Sequence, residues 1–508
     1  MSVSMFGDSY IQSKEPPKPE EIELTNKLDT FFRSQNLYET KEEYEHRKSV
    51  LDSLSKVCQE WVQAVIKAKN PTFNIGNKQL CVLYTFGSFS LNVHSPNADI
   101  DTLCVGPHLV TREDFFEILT PKLKELPDVT EVNPIVDAKT PIITMNFRGV
   151  DIDLLYASIP RYECEIPDDF DISDDMNLKG LDEFGLRTVN GRRVANTLLK
   201  LVPNQSQFRI ALKAIKLWCS KRGVEKNVFG YFGGVNCALL VARISQRYPT
   251  ASAVTLLEKF FEEYSSWPWP KPLTLYNVPM NTIHNFDSLV WDPAQNPIQK
   301  NEIFPLITPA YPCMNSTKNV IESTKKVIMK EFERGNNIMK QIINKKIEWN
   351  ILFEPSDFFE QYKYYMMISI YSDTKELQSK WQGFVESRIL KGLVINLENT
   401  NYVTPHLFPH PYPLLKTETT PEGTCYFVGL DISLPSDNNN TLNLSYATQT
   451  FLSGLKINQE DGMHVTLKTL RHTKKICELP ENVYQPKEHS RKRKHRSNEN
   501  DSKKTKTN

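Results

Sequence analysis

The sequence has 508 residues and 61 basic and 61 acidic side chains. This length predicts about three domains, and the balanced overall charge indicates no particular partner. The nine cysteines include no Cys-x-x-Cys pair, which argues against a disulfide framework or a zinc site and favours a reducing compartment. The polar N-terminus predicts no signal peptide, and no apolar run reaches the length that spans a membrane.

The chain begins with a polar leader and a long helical stretch. Residues 1–18 are predicted to be disordered, and the prolines Pro16, Pro17 and Pro19 mark the end of this leader. From Glu20 to about Ala68 the apolar residues recur at helical spacing. We expect this stretch to pack around the strands that follow it.

The next segment carries most of the chemistry. A predicted strand (Cys81–Thr85) is followed by a turn at Gly87 and Ser88 and by a second strand that carries Asp99 and Asp101. Residues two apart in a strand project to one face, so the two carboxylates repel unless a divalent cation lies between them. The Gly-Ser turn lacks bulk and could approach a phosphate closely. Together these features predict a phosphoryl-transfer site.

A third carboxylate is available on a second pair of strands. Pro141–Phe147 and Val150–Tyr156 are predicted to form a hairpin, and the second strand has Asp151 and Asp153 on one face. An acidic residue in an otherwise apolar strand costs free energy unless it is paired or binds a metal. We take Asp153 as the third metal ligand and as the group that helps to deprotonate an attacking hydroxyl. Spacing alone leaves Asp151 open as a rival.

The middle of the chain is predicted to be helical and basic. The helix Gln205–Arg222 carries a stripe of Arg209, Lys213 and Lys216, and such a stripe is most often a solvated face. A glycine-rich loop follows over residues 227–235 and enters an apolar helix. Its paired glycines would let a nucleotide lie against the backbone, although a tight turn explains the pattern equally well.

Two stretches without a regular period are predicted to be connecting structure. The first, residues 162–184, is acidic and is assigned no function, and the second covers residues 267–312. A helix from about Thr317 to Lys346 is predicted to close the middle part of the chain.

The last part predicts the order strand, helix, strand, strand, helix, strand, which is the ferredoxin-like order of many RNA-binding modules. The predicted elements are Tyr364–Tyr371, Thr374–Arg388, Gly392–Leu397, Thr424–Ile432, Leu442–Leu455 and His464–Leu470. No aromatic ribonucleoprotein motif is present, so stacking of RNA on this sheet is not predicted. From Lys487 to Asn508 there are nine Lys or Arg and three acidic residues, and residues 491–496 predict a nuclear localisation signal.

Nine sequence blocks occur in an order that is specific to one family. They are Phe86-Gly87-Ser88, Val93-His94-Ser95-Pro96, Asp99-Ile100-Asp101-Thr102-Leu103, Thr111-Arg112-Glu113-Asp114-Phe115-Phe116, Val189-Asn190-Gly191-Arg192-Arg193-Val194, Leu201-Val202-Pro203-Asn204, Ala214-Ile215-Lys216-Leu217-Trp218, Gly233-Gly234-Val235 and Val241-Ala242-Arg243. Over roughly Lys14 to Leu470 the chain therefore resembles the eukaryotic nuclear poly(A) polymerase family, as a divergent fungal-type member.

This resemblance implies an α+β multidomain protein. A nucleotidyltransferase domain with the polymerase beta-like fold is expected over residues 1–200, with its N-terminal helices packed on the middle domain. A helical central domain is expected over 201–350, a ferredoxin- or RRM-like RNA-binding domain over 351–485, and a basic disordered tail over 486–508.

The resemblance also assigns site residues. It selects Asp99, Asp101 and Asp153 as the catalytic ligands of two divalent cations, Mg²⁺ or Mn²⁺, of which one is held by all three. It places Lys216 opposite the triphosphate of the substrate, ATP. The full set of implied ATP contacts is Phe86, Gly87, Ser88, Asn190, Lys216, Glu225, Asn227, Gly234 and Val235.

Several positions depart from the family pattern. Lys139 and Thr140 stand where the family has a pair that sandwiches bases, Thr144 replaces a lysine, and Glu225 replaces a tyrosine near the phosphates. Each lost stacking contact is worth about 1–3 kcal/mol. These changes predict weaker ATP binding and less discrimination for adenine, with the metal chemistry unchanged.

The sequence therefore predicts a template-independent poly(A) polymerase that adds AMP from ATP to the 3′ hydroxyl of RNA and releases pyrophosphate. Two alternatives stay open: an RNA 3′ nucleotidyltransferase with relaxed or altered nucleotide choice, and a weakly active RNA-binding paralogue. The predicted partners are the RNA 3′ end, ATP and the cleavage and polyadenylation machinery. The predicted location is the nucleus, and no membrane is expected.

Overall fold

The computed structural model describes residues 11–276, 286–416, 423–433, 442–473 and 476–484. The first ten residues of the predicted leader lie outside these ranges, and so does the predicted basic tail with its nuclear localisation signal. Among the described helices, none combines the length and the apolar character needed to cross a bilayer.

The first part of the chain is built on a five-stranded sheet. Its elements are α1 (Pro19–Ser34), α2 (Lys41–Lys69), β1 (Val82–Thr85), α3 (Gly87–Ser90), β2 (Ile100–Pro107), α4 (Arg112–Asp114), a π-helical turn (Phe115–Leu119), α5 (Thr120–Glu125), β3 (Val129–Ile135), β4 (Ile142–Phe147), β5 (Val150–Ile159), a 3₁₀ turn (Asp175–Leu178) and α6 (Glu183–Leu201). The strand order is β1-β2-β5-β4-β3, and β2 and β5 are its parallel pair. Residues of α2 cover one face and residues of α6 the other.

The predicted N-terminal helical stretch is two helices with different partners. α2 begins at a capping box, in which the Thr40 hydroxyl accepts from Glu43 N at 3.1 Å and the Glu43 carboxylate accepts from Thr40 N. α2 packs on the sheet as expected. α1 instead packs on the helical part of the chain, where Trp349 Nε1 donates to the Leu24 carbonyl at 3.2 Å.

The middle of the chain is helical. Its elements are α7 (Gln205–Arg222), α8 (Gly234–Arg247), α9 (Ala253–Ser266), α10 (Glu322–Ile343) and 3₁₀ turns at Asn227–Phe229, Asp287–Leu289, Gln299–Asn301 and Trp349–Ile351. α7 ends at Gly223, whose φ of 67° is the left-handed conformation that glycine adopts freely. α10 is shorter than the predicted helix because Thr317, before its start, is held in a turn by its side-chain hydrogen bond to the Phe304 carbonyl.

The last part is a four-stranded antiparallel sheet with helices on one face. Its elements are α11 (Phe358–Gln361), β6 (Tyr364–Ser372), α12 (Lys375–Arg388), a π-helical turn (Ile389–Val394), α13 (Ile395–Glu398), β7 (Val403–Leu414), β8 (Gly423–Ile432), α14 (Ser445–Leu455), a 3₁₀ turn (Lys456–Asn458) and β9 (Met463–Arg471). The strand order β9-β6-β8-β7 confirms the predicted ferredoxin-like arrangement.

One strand of this sheet was predicted at the wrong place. Residues Gly392–Leu397 are helical, and the second strand of the motif is β7. β7 contains four prolines, and proline cannot donate to a strand ladder, so its sequence argues against a strand. The structure accommodates them because β7 is an edge strand with an irregular register between Phe408 and Tyr412.

Helices cover one face of the last sheet, and an aromatic cluster covers part of the other. Ile368, Tyr426 and Val428 face α12 and α14 in the main core. On the opposite face, Tyr365, Phe408 and Phe427 belong to a second cluster. This cluster is closed by aromatic residues from outside the sheet: Phe358, Phe359 and Tyr484. The face on which many RNA-binding modules stack bases is therefore buried at this end, while His464, Thr466 and Lys468 of β9 stay exposed.

A buried ion pair joins the helical part to the last part. The Arg222 guanidinium donates to both carboxylate oxygens of Glu331, at 2.8 and 3.0 Å, and each side chain is only 6% exposed. Arg222 also donates to the carbonyls of Glu354 and Pro355, at 2.9 and 2.8 Å. One side chain thus fixes the end of α7, α10 and the entry to the last part of the chain.

We expect Glu331→Ala to lower the free energy of unfolding by about 3–5 kcal/mol, because it leaves a buried guanidinium without its counter-charge. Urea denaturation followed by circular dichroism measures this. The matched control is Lys326→Ala, which removes a pair with Asp431 whose side chains are 69% and 58% exposed. The control should change stability by less than about 1 kcal/mol, and equal losses in the two variants would contradict the expectation.

Candidate active site

The strands that carry two of the predicted metal ligands lie side by side in the first sheet. The parallel register of β2 and β5 sets Asp101 directly beside Asp153. Neighbouring strands are about 4.8 Å apart, so the two carboxylates start from adjacent backbone positions. The Thr102 hydroxyl donates to the Asp153 carbonyl at 3.0 Å. Asp99 immediately precedes β2 and is exposed.

The rival carboxylate, Asp151, lies nearer the hairpin. It is exposed and accepts a hydrogen bond from Asn146 Nδ2 at 2.8 Å. Asn146 also accepts from Gly149 N at 2.9 Å, so Asp151 belongs to a local network that closes the turn. Within the described residues the Asp153 carboxylate accepts no such hydrogen bond. Asp153 is thus the carboxylate that faces Asp101 without another partner.

Burial and mutual repulsion disfavour the charged forms of these carboxyls. Burial, followed by the charges of Asp99 and Asp153, raises the pKa of Asp101 to about 7. Burial, followed by the charges of Asp99 and Asp151, raises the pKa of Asp153 to about 6. A nearby cation would reverse this effect.

The donor set suits a hard divalent cation, which prefers carboxylate oxygens. In the described ranges, however, no three His, Cys, Asp or Glu side chains are already grouped to hold a metal ion. Binding therefore requires rotation of the side chains of Asp99, Asp101 and Asp153 toward a common point. The raised pKa values of Asp101 and Asp153 indicate that a positive charge there would be favourable.

The Gly-Ser turn lies against the carboxylates. Gly87 has a φ of +63°, and a Cβ at this position would overlap the Asp101 carboxylate. The amide of Phe86 donates to the Asp101 carbonyl at 3.0 Å, which ties the turn to β2. Only glycine satisfies both the left-handed backbone and the close approach.

A cavity of about 670 Å³ opens beside the turn. Asp101 contributes to its wall together with seven of the nine predicted ATP contacts, which are Phe86, Gly87, Ser88, Asn190, Lys216, Gly234 and Val235. Two groups in this wall are free to contact a bound molecule. Within the described residues Asn190 Oδ1 is buried without a hydrogen bond, and the apolar side chain of Val235 is 40% exposed. Both are suited to contact a bound molecule.

Comparisons with known proteins identify the family of the chain. The family model of the poly(A) polymerase nucleotidyltransferase domain matches residues 12–202, and that of the poly(A) polymerase central domain matches residues 207–355. The model of the poly(A) polymerase predicted RNA binding domain matches two overlapping ranges, 357–422 and 415–493. The chain belongs to the poly(A) polymerase family. It is 42% identical to nuclear poly(A) polymerase 1 of Arabidopsis thaliana over 84% of its own length and 59% of that protein.

A poly(A) polymerase of Dictyostelium discoideum is 39% identical over 83% of this chain and 52% of that protein. The chain thus spans between half and three fifths of the length of these relatives. Among solved structures, the Cid1 poly(U) polymerase with Mg 3′-dATP aligns at a TM-score of 0.46 and 14% identity, over 66% of this chain and 99% of that chain. That similarity is too remote to bear on the site.

The basic stripe of this family member is not a solvated face. Arg209 Nε donates to the Leu91 carbonyl at 3.1 Å, Lys213 Nζ to the His94 carbonyl at 3.3 Å, and Lys216 Nζ to the Val93 carbonyl at 3.4 Å. The stripe thus holds the loop between the Gly-Ser turn and β2. Burial is the main cause that lowers the pKa of Lys216, while Asp99 and Asp101 oppose it.

A buried ionic group holds the other end of the same loop. Arg47 on α2 donates to the carbonyls of Pro96 and Ala98, at 3.3 and 2.6 Å. Glu39 lies 3.8 Å from Arg47 Nε and 2.5 Å from His94 Nε2. The residue after Ala98 is Asp99, so this group fixes the backbone that carries the first carboxylate. This group was not predicted from the sequence, because Arg47 is more than 50 positions before Asp99 along the chain.

Two predicted ATP contacts lie outside the cavity wall. Glu225 accepts from the Ser220 hydroxyl at 3.2 Å and faces His410 at 3.7 Å, which turns its carboxylate toward β7. Asn227 donates to the Ser316 carbonyl at 2.8 Å. Asn227 therefore positions Ser316, which lines the cavity, without lining the cavity itself.

Several residues of the wall were missed by the sequence analysis. They are Arg187, Thr308, Met314, Asn315, Ser316 and Lys318. Most of them lie in or next to the proline-rich stretch, where no period marks a site. Asn236 was also missed: it is fully buried, accepts from Gly233 N and donates to the Ser316 hydroxyl, both at 2.7 Å. Asn236 thereby joins the glycine-rich loop to this wall segment.

We expect Asp101→Asn to stabilise the metal-free protein above neutral pH. The pKa of Asp101 is raised from 3.8 to about 7, so the wild type loses stability as the pH rises through this interval, whereas the amide does not titrate. The difference in unfolding free energy should grow from about pH 4 to pH 7 and reach about 1–2 kcal/mol. Urea denaturation in EDTA at pH 4, 6 and 8 measures it, and a pH-independent difference would refute it.

Arg47→Lys should weaken Mn²⁺ binding about tenfold or more, because lysine keeps the charge but cannot hold two carbonyls at once. Electron paramagnetic resonance of free Mn²⁺ gives the affinity. The control is Lys48→Ala, at the exposed residue next to Arg47, and this variant should bind Mn²⁺ as tightly as the wild type does. Unchanged affinity in Arg47→Lys would show that the loop keeps its shape without the guanidinium.

Proposed function

We propose that this chain is a template-independent poly(A) polymerase that transfers AMP from ATP to the 3′ hydroxyl of RNA and releases pyrophosphate. The observation that carries the proposal is the register of Asp101 beside Asp153. These residues lie next to a turn where Gly87 lets the backbone approach the Asp101 carboxylate, and Asp101 lines a nucleotide-sized cavity. Membership of the poly(A) polymerase family supports the same reaction.

Different residues of the cavity wall would bind the phosphates and orient the attacking hydroxyl. Ser88 and the backbone of the Gly-Ser turn offer donors to phosphate oxygens. The ammonium group of Lys216, which lies in the same wall, offsets the charge of the triphosphate. Asp153 lies beside Asp101 in the strand pair, and its carboxylate would help to accept the proton of the attacking 3′ hydroxyl.

We assign Asp99, Asp101 and Asp153 as the ligands of two divalent cations, Mg²⁺ or Mn²⁺. When bound, such ions lower the pKa of an attacking hydroxyl and neutralise a leaving pyrophosphate. The protein fixes the backbone beneath these ligands through Arg47 and through the stripe on α7.

Recognition of the base would rest on Asn190 and Val235. The unpaired Asn190 Oδ1 is an acceptor that suits an amino or hydroxyl donor, and Val235 offers an apolar surface to a ring. Lys139 and Thr140 also line the cavity, where the resemblance implies a stacking pair. This observation favours, as a second candidate, an RNA nucleotidyltransferase with relaxed nucleotide choice.

The remaining assignments follow from the family. We propose a nucleotidyltransferase domain over residues 1–200, a central domain over 201–350, an RNA-binding domain over 351–485 and a basic tail over 486–508. Three relatives from Arabidopsis thaliana are named nuclear poly(A) polymerases. We propose the same location for this chain, and association with the cleavage and polyadenylation machinery.

The test is extension of a 5′-labelled oligo(A) with each NTP separately, in Mg²⁺ and in Mn²⁺. Asp99→Ala, Asp101→Ala and Asp153→Ala should each reduce extension with ATP at least about 100-fold, because each removes a metal ligand. Asp151→Ala, which breaks only the hairpin contact, is the matched control and should stay within about threefold.

The other outcomes separate the candidates. Equal rates with all four NTPs would support relaxed nucleotide choice. Bound RNA without extension by the wild type would support an RNA-binding paralogue. Loss of activity in Asp151→Ala with activity kept in Asp153→Ala would show that Asp151, and not Asp153, is the third metal ligand.

A further inference from the structure

We propose that Lys139, Arg187 and Lys318 form a cationic subsite that binds backbone phosphates next to the 3′ end of the RNA, apart from the position of the triphosphate. The inference rests on the proposed function, because it names how the RNA substrate is held. It concerns residues that neither the motifs nor the metal ligands include.

The three side chains converge from separate parts of the chain. Lys139 lies in the connection between β3 and β4, Arg187 in α6, and Lys318 in the segment before α10, yet all three line one cavity. Lys318 is exposed. Partial burial, followed by the charges of Lys139, Lys391 and Arg187, nevertheless lowers its pKa. Lys391 lies in the π-helical turn after α12, so the positive charge extends to the last part of the chain.

The counter-charge in the subsite is small. Among the described residues, neither Lys139 nor Lys318 forms an ion pair. Arg187 pairs with Glu183, one turn earlier on its own helix. Glu302 acts on Lys318 only weakly, and its carboxylate already accepts hydrogen bonds from Trp291 Nε1 at 2.7 Å and Asn315 Nδ2 at 2.9 Å.

Converging like charges without a counter-ion raise the free energy of the free protein, and an anion relieves this cost. The triphosphate has its own partners in Ser88, Lys216 and the carboxylate-bound cations. RNA is the remaining polyanion of the reaction, and its regularly spaced phosphates match cations spread along a wall. Aromatic side chains cover part of the free face of the last sheet, and the cations of the cavity offer RNA phosphates a contact that needs no stacking on this sheet.

The first experiment measures RNA binding by the full chain without ATP or divalent cations. Fluorescence anisotropy of a 5′-labelled oligo(A) over a salt series compares the wild type with Lys318→Met, Lys139→Met and the control Lys340→Met, an exposed lysine that does not line the cavity. We expect about three- to tenfold weaker binding for each cavity variant and a salt slope smaller by about one. The control should bind as the wild type does.

The second experiment locates the phosphate. Methylphosphonate, which is uncharged, replaces one of the last three linkages of the RNA at a time. One replacement should weaken binding to the wild type but add no further loss to Lys318→Met. Lys139 is exposed, so Lys139→Met keeps the test valid if Lys318→Met fails to fold.

Wild-type affinity in both cavity variants would overturn the subsite. So would a raised KM for ATP with unchanged RNA affinity, because the cations would then serve the triphosphate. The binding assay contains no ATP, so a wild type that binds RNA through these lysines but extends it with no NTP would defeat the proposed function and leave the subsite standing.

Discussion

The parallel register of β2 and β5 is the constraint on which the site depends. It sets two carboxylates beside each other in a place where burial raises the pKa of both. Such an arrangement lowers stability unless the surrounding structure holds it. Here three neighbours hold it. Gly87 leaves space for the Asp101 carboxylate, Arg47 donates hydrogen bonds to carbonyls just before Asp99, and the basic stripe on α7 donates to carbonyls earlier in the same loop.

The same loop is held by side chains from both the first part and the helical part of the chain. Residues 91–98 belong to the first part of the chain, but their carbonyls are bound by cations from α2 on one side and α7 on the other. Lys213 is half-buried, and this burial lowers its pKa to about 8. The basic stripe is therefore a structural joint as well as the source of Lys216.

Local patterns in the sequence predicted most of the strands and helices and the spacing of the acidic residues, because these depend on residues close in the chain. The choice between Asp151 and Asp153 did not follow from spacing, since both project from one face and only the partners across the sheet distinguish them. The stripe on α7 was visible, but its acceptors are backbone carbonyls, which every sequence has. β7 was missed because its prolines are tolerated only at a sheet edge, and edge position is a tertiary property.

The cavity wall draws on four separate stretches of the chain, around residues 86–101, 139–140, 187–238 and 308–318. A molecule that fills it contacts all of them at once and so acts as a reversible cross-link between parts that fold from distant sequence. Its binding free energy is then added to the cooperativity of the whole molecule. Occupancy of the cavity would thus set how often these parts separate, and the concentration of the bound molecule would govern the stability of the whole protein.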